Sequence, residues 1–534
     1  MALSARPTTL LRLAGTAALA GLLLAGCGGG GDSGGGFFFP PGSGGGGPAP
    51  DTGRGSLVGS PSTVGRLSVN EFRSLLQADD KGKALLQVTG APTCGVVLRS
   101  ITYRTVGGAG EDTTATAAVM VPTGTNAVCN GNRPIVLYAH GTTTARDYNI
   151  ARWIDPNQAA AAEGVIVAAM FAAQGYTVVA PNYAGYDASP LPYHPYLNAD
   201  QQSKDMIDAL KATRTALPLD GVSDAGSLLV TGYSQGGFVA LATHRAMQAA
   251  GQNVTASAPL SAPSAIGLLI DYAFSGWPAL GSTVFVPMIT TSWQKQFGNV
   301  YNSTSDIYEA QYAPTIETLL PSLTPLSTII GAGQLPQTAL FPANGTPGPV
   351  SPALSVFYGP NNLVRQSYLT QAANDIAASP CPGNALPATA ASLSTTTPLD
   401  CSPSTGLRRA AKANDLRNWT PTRPVLMCGG ALDPTVNFVS TLATSGYFRA
   451  KGVPAERLTV LDLEQAGGAG DPYAAARAGL AQAKAQVYAA TEGDDAAKAQ
   501  AVTVAYHGTL VPPFCLVSAR GYFAGLLAAA ATTN

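Results

Sequence analysis

One segment indicates the fold: Ser227-Leu-Leu-Val-Thr-Gly-Tyr-Ser234-Gln-Gly-Gly-Phe-Val-Ala-Leu-Ala242. Its first five residues predict a buried strand, and the small and apolar residues that follow Gln235 predict a helix to about Ala250. Between them, Gly232-Tyr-Ser-Gln-Gly236 fits the pattern G-x-S-x-G. Small residues on both sides of the serine permit the sharp strand-to-helix turn that exposes its hydroxyl. We therefore predict that Ser234 is a nucleophile.

A second segment, Gly31-Asp-Ser33-Gly-Gly35, has the same pattern. The pattern alone carries little information because the chain contains 60 glycines. Ser33 lies in a Gly-rich tract without a strand or helix signal, whereas Ser234 is preceded by a strand signal and followed by a helix signal. The surrounding sequence therefore favours Ser234 over Ser33.

Strand and helix signals alternate on both sides of this stretch. Apolar and β-branched runs predict strands at 96–106, 113–121, 134–139, 176–180, 227–231, 254–259, 424–428 and 458–461. Helices are predicted at 157–174, 203–217 and 235–250. The first two strands form a hairpin, and the later short runs are typical of strands buried on both faces. This order predicts an α/β fold with a doubly wound, mostly parallel sheet.

The alternation breaks between residues 261 and 418, which are rich in Pro, Thr and Ser and contain scattered aromatic residues. We interpret this stretch as a cap or lid insertion, helical or irregular, within one domain that covers residues 61–534.

A serine hydroxyl needs a general base near neutral pH, and the chain has 4 histidines. When the nucleophile lies on a strand–turn–helix, the acid and then the base follow it along the chain. His507, near the C-terminus, is therefore the predicted base. We interpret His194 and His244 as packing or surface residues.

The base in turn needs a carboxylate to orient its ring and to stabilise its protonated form. Asp433 follows the predicted strand 424–428 within Gly429-Gly-Ala-Leu-Asp433, and we predict that it is this carboxylate. Asp462, Glu464 and Asp471, which follow the next strand, remain alternatives.

The strand 134–139 is followed by His140-Gly141-Thr142. A loop at this position offers a backbone N–H to an oxyanion, here that of Thr142, and the N–H of Gln235 is the expected partner. The alternative for His140 is a purely structural residue at the end of the strand.

The N-terminus carries an export signal. Residues 1–26 contain arginines and an apolar run that is shorter than a typical membrane-spanning helix. The run ends in Leu24-Ala-Gly-Cys27, which resembles a bacterial lipoprotein signal, and this resemblance implies lipidation of Cys27. An ordinary secretory signal is the alternative. Residues 27–60 are Gly/Pro-rich and predict a flexible tether.

The chain has 7 cysteines, and 6 remain when Cys27 is set aside. Six cysteines allow about fifteen connectivities. Neighbouring positions suggest the pairs Cys94–Cys129 and Cys381–Cys401, which leaves Cys428–Cys515 as the third. Free buried thiols are the alternative to these disulfides. The third pair would tie the strand before Asp433 to the segment beyond His507. No Cys/His cluster has metal-ligand spacing, so we expect no metal.

Composition limits the classes of function. The chain has 534 residues, 46% of them hydrophobic and 11% charged, so it can bury a large core. Its net charge is −1, from 30 Lys and Arg against 31 Asp and Glu, and no basic cluster is present. We therefore expect no nucleic-acid partner.

Together these motifs resemble the α/β-hydrolase superfamily and, more narrowly, the secretory lipase family. The motifs that carry the resemblance span roughly residues 90–520: Tyr138-Ala-His-Gly-Thr142, Val179-Ala-Pro-Asn-Tyr-Ala-Gly185, Gly232-Tyr-Ser-Gln-Gly-Gly237, Gly429-Gly-Ala-Leu-Asp433 and Tyr506-His-Gly508. The resemblance implies a lid inserted after the sixth strand, where residues 261–418 lie.

The resemblance also implies an exported lipase or esterase that cleaves a small-molecule or lipid ester through an acyl-enzyme, with no cofactor. A serine peptidase or an acyltransferase is an alternative because fold and triad do not fix the leaving group. A non-catalytic surface lipoprotein is a second alternative. Gly28, which follows Cys27, favours an outer-membrane anchor.

Overall fold

The computed structural model of the chain describes residues 53–385 and 396–532. The predicted signal 1–26, Cys27 and Ser33 lie outside the described residues. The strands are β1 Leu57–Leu67, β2 Gly95–Val106, β3 Asp112–Thr123, β4 Asn132–Ala139, β5 Thr177–Pro181, β6 Ser223–Tyr233, β7 Ala256–Leu260, β8 Val425–Gly429 and β9 Leu458–Asp462.

The strands form a 9-stranded sheet in the order β1-β2-β3-β5-β4-β6-β7-β8-β9. The strands β1, β2, β3 and β5 pair antiparallel in turn, and all pairs from β5 to β9 are parallel. The chain leaves β4 towards one edge of the sheet and leaves β6 towards the other. Ligands bind in open α/β sheets at such a reversal, beyond the carboxyl ends of the strands. The ends of β4 and β6 therefore mark the expected site.

The α-helices are α1 Val69–Gln77, α2 Asp80–Thr89, α3 Ala161–Met170, α4 Ala199–Ala216, α5 Gln235–Ala249, α6 Ile266–Ala273, α7 Ser282–Phe297, α8 Ile316–Leu319, α9 Leu326–Gly331, α10 Gln366–Ala378, α11 Gly406–Asn414, α12 Val439–Ala450, α13 Ala474–Ala490, α14 Asp495–Ala505 and α15 Val511–Thr532.

The mostly parallel α/β sheet that the sequence predicts is confirmed, and each predicted strand coincides with an observed one. The edge strand β1 is present in the structure but is not among the predicted strands. It begins at Leu57, so the last residues of the predicted tether 27–60 belong to the sheet, and the folded domain begins before residue 61. Its exposed residues, such as Ser60 and Ser62, give no apolar alternation that would have predicted a strand.

In the described part of the segment between β7 and β8, the helices α6 to α11 add no strand to the sheet, and the sequence predicts an insertion over this stretch. Its buried residues are continuous with the core of the sheet, and they include Trp293, Tyr308 and Leu369. An ion pair between Arg408 and Asp271, 2.7 Å long and buried on both sides, ties α11 to α6. The insertion is therefore packed as part of the same core.

Within the described residues, three disulfides are present, and they are the three pairs that the sequence suggests: Cys94–Cys129, Cys381–Cys401 and Cys428–Cys515. The third joins β8 to α15 with a Cα–Cα distance of 5.6 Å.

A nearly continuous helix runs from Asp495 to Thr532 and consists of α14, a π-helical turn Tyr506–Leu510 and α15. Among the described residues, this is the one helix whose length and apolar composition would allow it to cross a membrane. Its middle packs against the sheet, where Val511, Cys515 and Ala519 are fully buried.

Candidate active site

Ser234 lies on a sharp turn between β6 and α5, with φ 59° and ψ −121°. A side chain at positive φ is strained, so the surroundings must hold it there. The turn passes so close to the end of β4 that a Cβ at Gly232 or Gly236 would lie 2.4 or 1.9 Å from the carbonyl oxygen of Ala139. Both positions therefore require glycine, which explains the pattern around the serine.

His507 lies next to Ser234, although 273 positions separate them in the chain. Its Nε2 is 2.8 Å from the Ser234 Oγ. It belongs to the π-helical turn between α14 and α15, which is where the helix passes the end of β6. The imidazole can therefore receive the proton of the serine hydroxyl directly.

Asp433 completes the arrangement. Its Oδ2 lies 2.7 Å from the His507 Nδ1, and its Oδ1 accepts hydrogen bonds from the backbone N–H groups of Thr435 and Val436 at 2.9 and 3.0 Å. The carboxylate is almost fully buried, at 1% side-chain exposure. Three donors thus surround a buried carboxylate, which can orient the imidazole and stabilise its protonated form.

The alternative carboxylates are engaged elsewhere. Glu464 accepts from the Tyr506 hydroxyl at 2.7 Å and pairs with Lys484, and Asp471 pairs with Arg477 at 2.8 Å. Asp462 accepts from the backbone N–H groups of Ala431 and Glu464. Of the four candidate acids, the structure brings Asp433 to His507.

The predicted oxyanion-hole residues also lie beside Ser234. A Cβ placed on Gly141 would be 4.0 Å from the Ser234 Cβ, so the His140–Thr142 loop runs alongside the serine. Gln235 is the first residue of α5, where backbone N–H groups lack a helical acceptor and carry a partial positive charge. Within the described residues, neither the Thr142 nor the Gln235 N–H donates a hydrogen bond. Both remain available to an anionic oxygen.

The His140 ring itself does not face the serine. It is fully buried between Tyr148 and Tyr183, at centroid distances of 4.3 and 4.1 Å, and its Nδ1 and Nε2 lie 2.7 and 3.1 Å from the carbonyl oxygens of Gly141 and Asn182. Burial lowers the pKa of His140, and the charge of Glu163 and the two carbonyl contacts oppose this effect. His140 therefore anchors the loop by packing, and the loop contributes its backbone.

His194 and His244 are both buried, in agreement with a packing role. The His244 Nδ1 lies 2.8 Å from the Ser257 Oγ, on the α5 side of the sheet. His194 lies beside α5, where its Nε2 is 2.7 Å from the side-chain amide nitrogen of Gln235.

Sequence reasoning missed two residues that shape the site. The Tyr233 hydroxyl donates to the backbone carbonyl of His507 at 2.7 Å, and burial, together with the charge of Asp433, raises the pKa of Tyr233 and keeps this donor protonated. Glu163 of α3 accepts from the Gly141 N–H at 3.0 Å and from the hydroxyls of Tyr138 and Tyr148. The variable position of G-x-S-x-G could have pointed to Tyr233, whereas no local pattern marks Glu163.

Known proteins resemble this chain in sequence over one segment and in fold over most of its length. Residues 158–254 match the family model of the secretory lipases. No curated protein sequence matches the chain. A rice cell wall degrading esterase, LipA from Xanthomonas oryzae, is 21% identical with a TM-score of 0.63 over 88% of this chain and 99% of its own. A protein of Legionella pneumophila assigned as a hydrolase is 17% identical, with a TM-score of 0.59. The match covers 88% of this chain and 98% of the Legionella chain.

The sheet, the strand–turn–helix at Ser234 and these likenesses lead to one conclusion. The chain has the α/β-hydrolase fold, and its residues 158–254 are similar to the secretory lipases.

Proposed function

We propose that the protein is a carboxylic ester hydrolase that acts through Ser234, His507 and Asp433. The observation that carries the proposal is the unbroken pair of hydrogen bonds, 2.8 and 2.7 Å long, from the serine hydroxyl through the imidazole to the carboxylate. The match of residues 158–254 to the secretory lipases supports ester hydrolysis over other uses of the same three groups.

In the first half-reaction, the His507 Nε2 takes the proton of the Ser234 hydroxyl while Oγ bonds to the ester carbonyl carbon. The carbonyl π electrons move to oxygen, where the N–H groups of Thr142 and Gln235 hold the resulting oxyanion, each contributing about 3–4 kcal/mol. The tetrahedral adduct then collapses and breaks the bond to the alcohol oxygen. His507 returns the proton to that oxygen, and an acyl-Ser234 remains.

In the second half-reaction, His507 takes a proton from water while the water oxygen attacks the acyl carbon. Collapse of this second adduct releases the carboxylic acid and returns the proton to the Ser234 Oγ. Asp433 stays ionised throughout and stabilises the imidazolium in both halves.

The relative rates of ester and amide cleavage distinguish an esterase from a peptidase. We expect purified protein to hydrolyse p-nitrophenyl acetate and butyrate faster than aminoacyl p-nitroanilides, and Ser234→Ala to abolish the activity. Ser33→Ala is the matched control because Ser33 has the same G-x-S-x-G pattern. Faster cleavage of the anilides would indicate a peptidase, and full activity in Ser234→Ala would remove the catalytic role of this serine.

We further propose that the protein is exported and lipid-anchored through Cys27 in the outer membrane. The proposal rests on the sequence Leu24-Ala-Gly-Cys27, on the Gly/Pro-rich tract behind it and on Gly28. We expect Cys27→Ser to abolish incorporation of labelled palmitate and to move the esterase activity from the membrane fraction to the soluble fraction. Unchanged labelling in Cys27→Ser would contradict lipidation at this residue.

A further inference from the structure

We propose that His194 and Tyr196 are positioning residues of the oxyanion hole, each holding the side chain of one of its two donor residues. Both lie on the segment 182–198 between β5 and α4, called here the clamp loop. The inference rests on the proposed function and adds the residues that set the distance between Thr142 and Gln235.

Tyr196 holds Thr142. The Tyr196 hydroxyl lies 2.7 Å from the Thr142 Oγ1, and the two residues are 54 positions apart in the chain. Tyr196 is 3% exposed, and this burial raises the pKa of its phenol, so the hydroxyl stays protonated. A buried phenol therefore holds the side chain of one of the two proposed donor residues.

His194 holds Gln235, and the geometry fixes the direction of each bond. The His194 Nδ1 lies 2.9 Å from the Ala184 carbonyl, which can only accept, so Nδ1 carries the proton. Nε2 therefore accepts from the Gln235 side-chain amide, 2.7 Å away, and the Gln202 amide lies farther off, at 3.4 Å. Burial lowers the pKa of His194 to about 3, so this neutral form persists across the neutral range.

The clamp loop is itself held firmly. The His194 ring packs against Tyr186 at 4.5 Å and Tyr183 at 5.5 Å. The Tyr186 hydroxyl donates to the carbonyl of Thr143, and that of Tyr183 to the carbonyl of His140. The loop thus contacts the His140–Thr143 segment at several points.

The two oxyanion donors belong to different elements, because Thr142 follows β4 and Gln235 begins α5. Two side chains that lie two residues apart on one loop reach both of them. Donors that are fixed before the reaction stabilise the developing charge without reorganisation. The clamp loop is therefore expected to affect the transition state more than the binding of the ester.

The test compares Tyr196→Phe and His194→Phe with Tyr193→Phe as the matched control. Tyr193 lies on the same loop, but its hydroxyl donates to Glu111 at 2.7 Å and accepts from the Gly108 N–H at 2.9 Å, so its partners differ from those of Tyr196 and His194. We expect kcat on p-nitrophenyl butyrate to fall about tenfold in the first two variants with KM unchanged, and to stay at the wild-type value in Tyr193→Phe.

A double-mutant cycle identifies the route of the effect. If Tyr196 acts through the Thr142 side chain, Tyr196→Phe will lower kcat no further in a Thr142→Val background. The affinity for an alkyl trifluoromethyl ketone, whose adduct carries an oxyanion, will fall in parallel with kcat in Tyr196→Phe. These readouts would not follow from a general loss of structure.

Failure of the inference is distinguishable from failure of the proposed function. If hydrolysis requires Ser234 but both clamp variants keep the kcat of Tyr193→Phe, the positioning role is wrong and the esterase assignment stands. Additive effects of Tyr196→Phe and Thr142→Val would also overturn the inference. If His194→Phe does not fold, Tyr196→Phe alone tests the positioning role. This substitution removes only one oxygen atom, and the ring keeps its packing.

Discussion

Ser234 is held in its strained conformation by hydrogen bonds on both sides. Its N–H donates to the Leu260 carbonyl at 2.9 Å, and its own carbonyl accepts from Gly237 and Phe238 at 2.9 and 3.2 Å. These bonds offset the energy of about 1–3 kcal/mol that a positive φ costs a residue with a side chain. The hydroxyl is thereby fixed towards His507 before any substrate binds.

His244 provides a prediction for stability that is independent of the site. Burial lowers the pKa of His244 to about 4, with a smaller contribution from the nearby positive charge of Arg423. The unfolded chain has the ordinary value of 6.5. Between pH 4 and pH 6.5 the unfolded state binds more protons than the folded state. The stabilising contribution of neutral, buried His244 is therefore complete above pH 6.5 and is lost as the pH falls through 4.

We therefore expect wild type to lose about 3 kcal/mol relative to His244→Gln between pH 7 and pH 4. Urea unfolding of both proteins at several pH values measures the difference. Other titrating groups, such as Asp205 and Asp208, occur in both proteins and cancel. A difference that is constant across this range would show that His244 does not titrate on unfolding.

The sequence predicts the residues of the site unevenly. Ser234 and Asp433 can be identified because each follows a recognisable strand, and His507 because the triad has a chain order. Glu163 and Tyr196 could not be identified, because their roles depend on contacts with Gly141 and Thr142 that no local pattern contains.

Among the helices and strands, the buried parallel strands are the elements that sequence predicts best. Strands β4 to β9 contain short apolar runs that the sequence identifies, and β6 extends beyond its run at both ends, from Ser223 to Tyr233. The edge strand β1 lacks such a run because one of its faces is solvated. The turn around His507 also escaped prediction, since a π-helical turn has no distinctive sequence and arises from how α14 and α15 pack.

The disulfide Cys428–Cys515 connects the two elements that position Asp433 and His507. It closes a loop of 87 residues, whereas Cys381–Cys401 closes one of 20. We expect Cys428→Ala/Cys515→Ala to lower the free energy of unfolding by about 4 kcal/mol and Cys381→Ala/Cys401→Ala by about 3 kcal/mol.

Denaturant unfolding of the two double variants, with ester hydrolysis followed in the same samples, tests this expectation. Activity of the Cys428→Ala/Cys515→Ala protein should disappear at lower urea than activity of wild type. A variant as stable as wild type would show that this bridge does not constrain the unfolded chain.

At the scale of the whole molecule, the predicted insertion contacts the segments on both sides of the site. The backbone of Ser322 pairs with Thr144 and Arg146, next to the predicted oxyanion loop, and the Leu280 N–H donates to the Pro434 carbonyl beside Asp433. The sequence predicts that an insertion exists at 261–418 but not where it docks. Such docking depends on contacts between segments that lie far apart in the chain, and no periodicity encodes these contacts.

Covalent trapping shows whether Ser234 is the nucleophile of a relay with His507 and Asp433. Diethyl p-nitrophenyl phosphate transfers its phosphoryl group to an activated serine and releases nitrophenol. We predict one diethylphosphoryl group per chain, found by peptide mapping on Ser234, with ester hydrolysis lost in proportion and no labelling in His507→Ala. Loss of hydrolysis while Ser234 remains unmodified would contradict the account.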